Sequence, residues 1–234
     1  MTTDTDFATL PGRVRRVIDD VYRYGMLTAD VARRMRWPDL TPDAARKMFS
    51  RAAEDGWLAR HPLADQEPYF VLGGRAVAAL GVRRATTPLG PQALLEHYAV
   101  LLAAARRRCD VFTEGEFRTR FPDLTQPGFS AKNFFPDASA AAVRLGLFVV
   151  DHDKLSSRMV AKVRSRVGGM LATDRPALRK LVLDGQLAVH VVTATEGKRA
   201  NLAAAFARKQ QPLGVPVAVE AHPELEDFFL VKRR

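Results

Sequence analysis

Apolar residues in the first part of the chain recur at helical spacing in three successive segments. The first segment runs from about Pro11 to Tyr24, and a short second segment follows it with Thr28 placed as its N-cap. The third begins with Thr41 as N-cap and Pro42 at the first helical position, where the missing N–H costs nothing. The pattern predicts three consecutive helices, the last of which ends before residue 56.

After the third helix, the apolar pattern changes from helical to extended. The segments 57–60 and 69–72 flank a turn that contains prolines and aspartate, which is typical of a β-hairpin. A short helix follows over residues 75–80. Three helices followed by a two-stranded wing is the order of a winged helix-turn-helix, so we predict such a domain over residues 1–82.

In a winged helix, the third helix enters the major groove of DNA. The outward side of this helix carries Arg46, Lys47, Ser50 and Arg51, and arginine and lysine side chains there reach guanine edges or phosphates. Arg60, near the wing, is placed to contact the DNA backbone. Winged helices also serve as protein–protein modules, and basic residues are common on any solvated helix face. The alternatives are therefore that this helix face binds a protein partner or is simply exposed to solvent.

The remainder of the chain is predicted to be a second domain. Residues 83–91 hold prolines, a glycine and threonines without periodicity, which is typical of a linker. Residues 92–234 then alternate helical and extended patterns in the order helix, β-hairpin, helix, strand, helix, strand. That order predicts a mixed sheet flanked by helices, so the fold class is α+β or mixed α/β.

The predicted hairpin of the second domain carries the acidic residues of most interest. Its strands are expected over residues 134–143 and 145–153, with a tight turn near Arg144 and Gly146. Asp137 then lies near the start of the first strand, and the second strand ends with two aspartates. Because opposite ends of antiparallel strands meet, we expect Asp137 to lie beside that pair.

Three converging carboxylates repel one another unless a cation neutralises them. We therefore expect Asp137, Asp151 and Asp153 to hold Mg²⁺ or Mn²⁺, since hard divalent cations prefer carboxylate oxygens. Lys154 and Lys162 would stabilise the charge that develops at a phosphodiester or orient the attacking water. The structural alternative is that these aspartates are ordinary turn and cap residues at strand ends.

Composition supports a polyanionic partner. Among 234 residues, 36 Lys and Arg exceed 26 Asp and Glu, for a net charge of +10. Neutralising phosphates releases condensed counterions, which favours nucleic acid. The single Cys109 excludes an intramolecular disulfide and a cysteine-rich zinc site. No apolar run has the roughly 20 residues of a membrane helix, and the polar, acidic start is unlike a signal peptide, so we expect a cytoplasmic protein with no membrane partner.

Two sets of residues together resemble a known family, the replication-relaxation family of plasmid and mobile-element proteins. The resemblance rests on Leu27–Met35, Gly56–Leu58, Tyr69–Leu72 and Gly74 in the first part, and on Pro136–Asp137, Phe148–Asp153, Lys162 and Val191–Glu196 in the second. Members of that family pair a winged helix with a domain similar to the PD-(D/E)XK nuclease fold.

The resemblance implies roles for particular residues. Asp137 matches the aspartate of the nuclease motif, and Asp151 matches its second acidic position. The motif's lysine is missing, because Asp153 stands in its place; Lys154 or Lys162 would have to substitute for it. This departure leaves two expectations open for the second domain: an active metal-dependent nuclease, or a nuclease-like fold without cleavage.

The leading hypothesis is a DNA-binding protein of a plasmid or other mobile element, acting in replication, mobilisation or their control. One rival is an active Mg²⁺-dependent endonuclease. A second rival is a transcription regulator that binds a palindromic operator as a homodimer. A third is a partner-binding adaptor that binds no nucleic acid, and its binding would not weaken steeply with salt.

Overall fold

The computed structural model is a mixed α and β fold. It describes residues 7–63, 66–83, 86–125, 129–139, 142–152, 155–172, 174–208, 214–226 and 228. Contacts divide the chain into two compact units, Met1–Ala105 and Arg106–Arg234. Within the ranges just given, no helix is both long and apolar enough to cross a membrane.

The first unit contains helices and a small antiparallel sheet. The helices are α1 (Gly12–Tyr24), α2 (Ala29–Arg36), α3 (Pro42–Glu54), α4 (Gly74–Leu80) and most of α5 (Pro91–Arg107). The strands are β1 (Leu27–Thr28), β2 (Leu58–Leu63) and β3 (Gln66–Leu72). β3 lies between β1 and β2 and pairs antiparallel with both.

The predicted caps of α2 and α3 are confirmed. The Thr28 hydroxyl accepts a hydrogen bond from the backbone N–H of Val31, and the Thr41 hydroxyl accepts one from Ala44. Each hydroxyl thereby pairs one N–H that the first helical turn leaves without an intrahelical acceptor. These two caps fix where α2 and α3 begin.

The core of the first unit forms where the apolar faces of its helices meet β3. Val17, Ile18 and Val21 of α1 are fully buried, and α1 packs on β3. Phe49 of α3 lies against Phe70 of β3 with ring centroids 5.0 Å apart. Burying an aromatic side chain of this size stabilises a fold by about 2 kcal/mol, so this pair fixes α3 on the sheet.

The boundary between the units differs from the predicted linker at residues 83–91. In that segment, the carbonyl of Thr86 accepts a hydrogen bond from His61 Nε2 (3.0 Å), and the Leu89 N–H donates to the Tyr69 hydroxyl (2.8 Å). In α5, His97 Nδ1 donates to the carbonyl of Tyr24 at 2.7 Å. These bonds attach the expected linker and the start of α5 to the first unit, and the division falls after Ala105 instead.

The second unit is built on a four-stranded sheet. Its strands are β4 (Phe134–Asp137), β5 (Arg144–Val150), β6 (Leu187–Thr193) and β7 (Val217–Ala221), and its helices are α6 (Glu114–Arg120), α7 (Ser156–Met170), α8 (Pro176–Leu183) and α9 (Glu196–Arg208). The strand order is β4-β5-β6-β7. β4 pairs antiparallel with β5, whereas β5, β6 and β7 run parallel.

One face of this sheet forms the hydrophobic core of the second unit. Alternate residues of β5 and β6, such as Leu147 and Val189, are buried together with the apolar sides of the helices, among them Met159 and Val163 of α7. Successive strand residues point to opposite faces. The alternation of core-facing residues continues to Asp151, just beyond the end of β5, and to Thr193, the last residue of β6.

The β4–β5 hairpin differs from its prediction. β4 ends at Asp137 instead of continuing to Val143, and Arg144 and Gly146 lie within β5 instead of at a turn. The reason is local: Asp137 Oδ1 accepts a hydrogen bond from the N–H of Ser139 at 3.1 Å. An aspartate that bonds the backbone two residues onward forms a turn, and this turn ends the strand.

Candidate nucleic-acid interface

The two faces of α3 differ in chemistry. Its buried residues are Ala45, Phe49 and Ala52, at the spacing of one helix face. The predicted DNA-contacting residues lie away from that face: Arg46, Lys47 and Arg51 are exposed, and Ser50 is half-buried. Packing against the sheet therefore turns the basic side of α3 outward, as the sequence predicts.

Glu67 of β3 connects three elements of the first unit. Its Oε1 accepts a hydrogen bond from Arg46 Nε of α3 at 2.7 Å. Its Oε2 accepts one from the N–H of Asp30, in the first turn of α2, at 3.3 Å. The Arg46 side chain still has 57% of its surface exposed. Glu67 thus holds one nitrogen of the guanidinium in place while the rest of the group remains open to solvent.

The other predicted contact residues differ in how their charge is balanced. Lys47 pairs with Asp43 one turn earlier on α3, at 2.9 Å, and both side chains are largely exposed. Arg51 on α3 and Arg60 on β2 are exposed and form no ion pair with any residue that the structure describes. Exposed pairs such as Lys47–Asp43 contribute little energy, so a phosphate can compete for the lysine.

In the second unit, Asp137 lies in a buried polar cluster. Its side chain is 1% exposed and its Oδ2 accepts a hydrogen bond from His190 Nε2 of β6 at 3.2 Å; an Arg144 nitrogen lies 3.9 Å away. Burial raises the pKa of Asp137, but the hydrogen bonds from Ser139 and the contact with His190 lower it more, so its pKa lies below the usual value. The carboxylate is charged and already hydrogen-bonded.

Asp151 lies just beyond the end of β5 and is also buried, at 2% exposure. Its Oδ2 accepts a hydrogen bond from the Thr193 hydroxyl at 3.3 Å and lies 3.6 Å from Lys198 Nζ. Lys162 of α7 donates from Nζ to the neighbouring carbonyl of Val150 at 3.2 Å. The carboxyl ends of β5 and β6 therefore hold one buried carboxylate near two ammonium groups.

The structure does not bring Asp137 and Asp151 together, in contrast to the expected metal site. Asp137 pairs with Arg144 at the first residue of β5, and Asp151 follows the last residue of that strand. Seven residues of extended chain separate these two levels by roughly 23 Å. The expectation misplaced Asp137 at the start of a longer strand, whereas it lies at the end of a short one.

Two of the remaining residues of that expected site, Asp153 and Lys154, lie outside the described residues. Elsewhere in the chain, over the part that the structure describes, no three His, Cys, Asp or Glu side chains are grouped so that they could hold a metal ion. Lys162 folds back on the hairpin, as predicted, and contacts Val150, the last residue of β5, next to Asp151. Asp137 instead pairs with the first residue of β5.

Sequence reasoning missed three residues that the fold places in these clusters. Glu67 lies 21 positions from Arg46 along the chain, and Lys198 and Thr193 lie more than forty from Asp151. Thr193 and Lys198 could have been found from their position at or shortly after the end of β6. Parallel strands end at the same edge of a sheet, so residues at their carboxyl ends meet there. No local pattern marks Glu67.

Comparisons with protein-family models, with curated proteins and with solved structures found no match to this chain.

Proposed function

We propose that the first unit is a winged helix-turn-helix that binds duplex DNA, with α3 in the major groove and the β2–β3 hairpin as the wing. The observation that carries this proposal is the outward placement of Arg46, Lys47 and Arg51 on α3, the helix before a two-stranded hairpin. A recognition helix needs this division into an apolar face that packs and a basic face that is presented.

The electrostatics of the chain support the same ligand. A net charge of +10 attracts phosphates and gives binding that weakens as salt rises. Within the first unit, Arg51 and Arg60 are not engaged with any described carboxylate, so no ion pair has to break before they contact DNA. Arg51 suits a base edge or a phosphate from α3, and Arg60 suits a backbone phosphate from β2.

Arg46 has a different role in this proposal. A guanidinium has five N–H donors in a planar fork, and Glu67 engages the Nε at 2.7 Å. The outer nitrogens remain for a guanine edge, which arginine contacts with two hydrogen bonds. Because Glu67 restricts the rotation of the side chain, Arg46 is the residue we assign to base recognition.

The biological setting that we propose is the replication or mobilisation of plasmid or mobile-element DNA, or their control. It rests on the resemblance carried by the first- and second-part motifs. We do not extend the proposal to DNA cleavage, because Asp137 and Asp151 lie at opposite ends of β5. A homodimer on a palindromic site, with half-sites about 34 Å apart, is compatible with the same recognition helix.

Fluorescence anisotropy with a labelled duplex of mixed sequence tests the proposal. Arg51→Ala should weaken binding about fivefold at ~0.1 M salt and reduce the slope of log Kd against log salt by about one. Arg208→Ala is the matched control, since Arg208 is an exposed arginine at the end of α9 in the second unit. The control should retain wild-type affinity.

Two outcomes would contradict the proposal. If the wild-type chain shows no salt-dependent binding to DNA, the adaptor hypothesis is favoured over this one. If Arg51→Ala and Arg208→Ala weaken binding equally, the chain attracts DNA by its net charge alone, and α3 has no special part in binding.

A further inference from the structure

Helix α7 of the second unit has a net positive charge. Its sequence, Ser156–Met170, contains four arginine and lysine residues and no aspartate or glutamate. Three of them, Arg158, Lys162 and Arg166, are four residues apart, so they follow one another along one side of the helix. We call these three residues the α7 stripe.

The α7 stripe borders the side of the helix that packs into the core of the second unit. The buried residues of α7 include Met159, Val163 and Val167, which belong to the core of the second unit. Arg158 and Lys162 are exposed, and Arg166 is half-buried. Packing of the apolar side therefore leaves Arg158 and Lys162 exposed beside it and Arg166 partly exposed.

The buried carboxylate that follows β5 is already paired with a cation outside α7. Asp151 is buried and lies 3.6 Å from Lys198 Nζ of α9. Lys162 Nζ instead contacts the uncharged carbonyl of Val150 at 3.2 Å. An ammonium group has three donors; this bond uses one of them and orients Lys162, which forms no ion pair with a carboxylate that the structure describes.

The spacing of the α7 stripe fits the backbone of a nucleic acid. Its first and last members are eight residues apart, about 12 Å along the helix axis. One strand of DNA carries a phosphate for about every 3.4 Å of its axis, so the stripe is long enough to run beside roughly three or four phosphates. Contacts of this type add affinity but read no sequence.

We propose that the α7 stripe is a second nucleic-acid surface, which binds the phosphate backbone of DNA independently of α3. It shares the ligand of the proposed function but lies in the other unit of the chain. A lipid surface fits less well, because membrane-binding helices present large apolar residues beside their cations. Within α7, the exposed positions beside the stripe are the small residues Ala161, Ser165 and Gly169, and Leu155, the N-cap residue before the helix, is an exposed large apolar residue close to it.

The test is a salt titration of duplex DNA binding with the full chain. Arg158→Gln should weaken binding about three- to fivefold and lower the slope of log Kd against log salt by about one. Adding Lys162→Gln should lower the slope by about one more. Arg208→Gln makes the same charge change at the far end of α9 and should leave both values unchanged. Thermal unfolding checks that each variant folds. If Lys162→Gln prevents folding, the single variant Arg158→Gln is sufficient to test the inference.

The outcomes separate this inference from the proposed function. If Arg51→Ala weakens DNA binding and Arg158→Gln does not, the α7 stripe is overturned and α3 stands. If Arg158→Gln weakens DNA binding and Arg51→Ala does not, the proposed role of α3 is overturned and the α7 stripe stands. Vesicles of phosphatidylserine form a second arm: loss of vesicle binding in Arg158→Gln with unchanged DNA binding would assign the stripe to a membrane and overturn the inference.

Discussion

Glu67 shows how a single side chain can hold an exposed arginine in place. It lies on β3, yet it bonds the first turn of α2 through the Asp30 N–H and the middle of α3 through Arg46. The three elements are distant in sequence, so only the folded arrangement creates this link. In the proposed complex, Glu67 lowers the affinity for DNA, because it adds a negative charge near the phosphates. It also fixes the orientation of the Arg46 side chain.

Replacing Glu67 by glutamine should therefore strengthen binding to mixed-sequence DNA. We expect an increase of about threefold at low salt, because a negative charge is removed and Arg46 is released. The glutamine carbonyl can still accept the hydrogen bond from Asp30, which protects the fold. Glu114→Gln, the same change on an exposed side chain of α6, is the control in the anisotropy assay. An equal increase in both variants would show that only net charge matters.

The buried pair of Asp137 and His190 makes the stability of the chain depend on pH. Both side chains are almost fully buried and joined at 3.2 Å. Burial and the charge of Arg107 lower the pKa of His190, and contact with Asp137 offsets only part of this effect. The histidine is therefore neutral in the folded chain at a pH where the unfolded chain begins to protonate it.

The stability of the chain should consequently fall as the pH is lowered from neutral. A depressed pKa in the folded state means that the unfolded state binds the proton more readily, so stability is lost as the pH falls below about 6.5 towards the folded value. Asp137, whose pKa is also depressed, adds a further loss at more acidic pH. In urea unfolding between pH 7 and pH 5, His190→Gln should show a shallower loss than the wild type. An unchanged profile would contradict the assignment to His190.

At the scale of elements, the hairpin that joins β4 and β5 depends on a glycine. Phe135 of β4 lies directly opposite Gly146 of β5, and its ring covers the place where a Cβ would be. The same ring stacks on Phe148 with centroids 4.0 Å apart. The absence of a side chain at position 146 is therefore what allows the aromatic pair to lie flat on the sheet.

Gly146→Ala should destabilise the second unit. The added methyl group would overlap the Phe135 ring, and forced overpacking in a core costs about 1–3 kcal/mol. Gly168→Ala on α7 is the matched control, because a Cβ there meets no atom within 4 Å. It should be neutral or more stable by up to ~1 kcal/mol, since alanine favours helix over glycine. Chemical unfolding measures both; equal stability of the two variants would contradict the packing described for Phe135.

The elements show which parts of the fold the sequence could predict. The caps at Thr28 and Thr41 are local signals, and both were predicted correctly together with the helices they begin. The end of β4 was not predicted correctly, because the apolar residues after Asp137 extend the pattern of a strand. The bond from Ser139 to Asp137 overrides that pattern, and the resulting misplacement of Asp137 is what produced the expected three-carboxylate site.

For the whole molecule, the sequence predicted two parts but not their boundary. Prolines and glycines in 83–91 indicate a break in helical structure, and no local pattern shows that Thr86 and Leu89 bond to side chains of β2 and β3. The contact of His97 with the end of α1 is equally non-local. Long-range hydrogen bonds of this kind decide where one unit ends, and they are not visible in composition.

In our two proposals, basic residues of both units bind one class of ligand. α3 presents its cations beside a hairpin, and α7 presents a row of them without a carboxylate on the same helix. In a chain with a net charge of +10, both surfaces would contribute to binding that weakens steeply with salt. We propose that α3 reads bases, through Arg46, and that the α7 stripe contacts phosphates alone.

Hydrogen–deuterium exchange of the full chain, with and without a saturating mixed-sequence duplex, is the most direct test of whether the first unit binds DNA through α3. We predict that DNA slows amide exchange in α3 and in the β2–β3 hairpin, and that added salt reverses this effect. Saturating DNA binding with unchanged exchange in both of these elements would contradict the claim that the first unit binds DNA through α3.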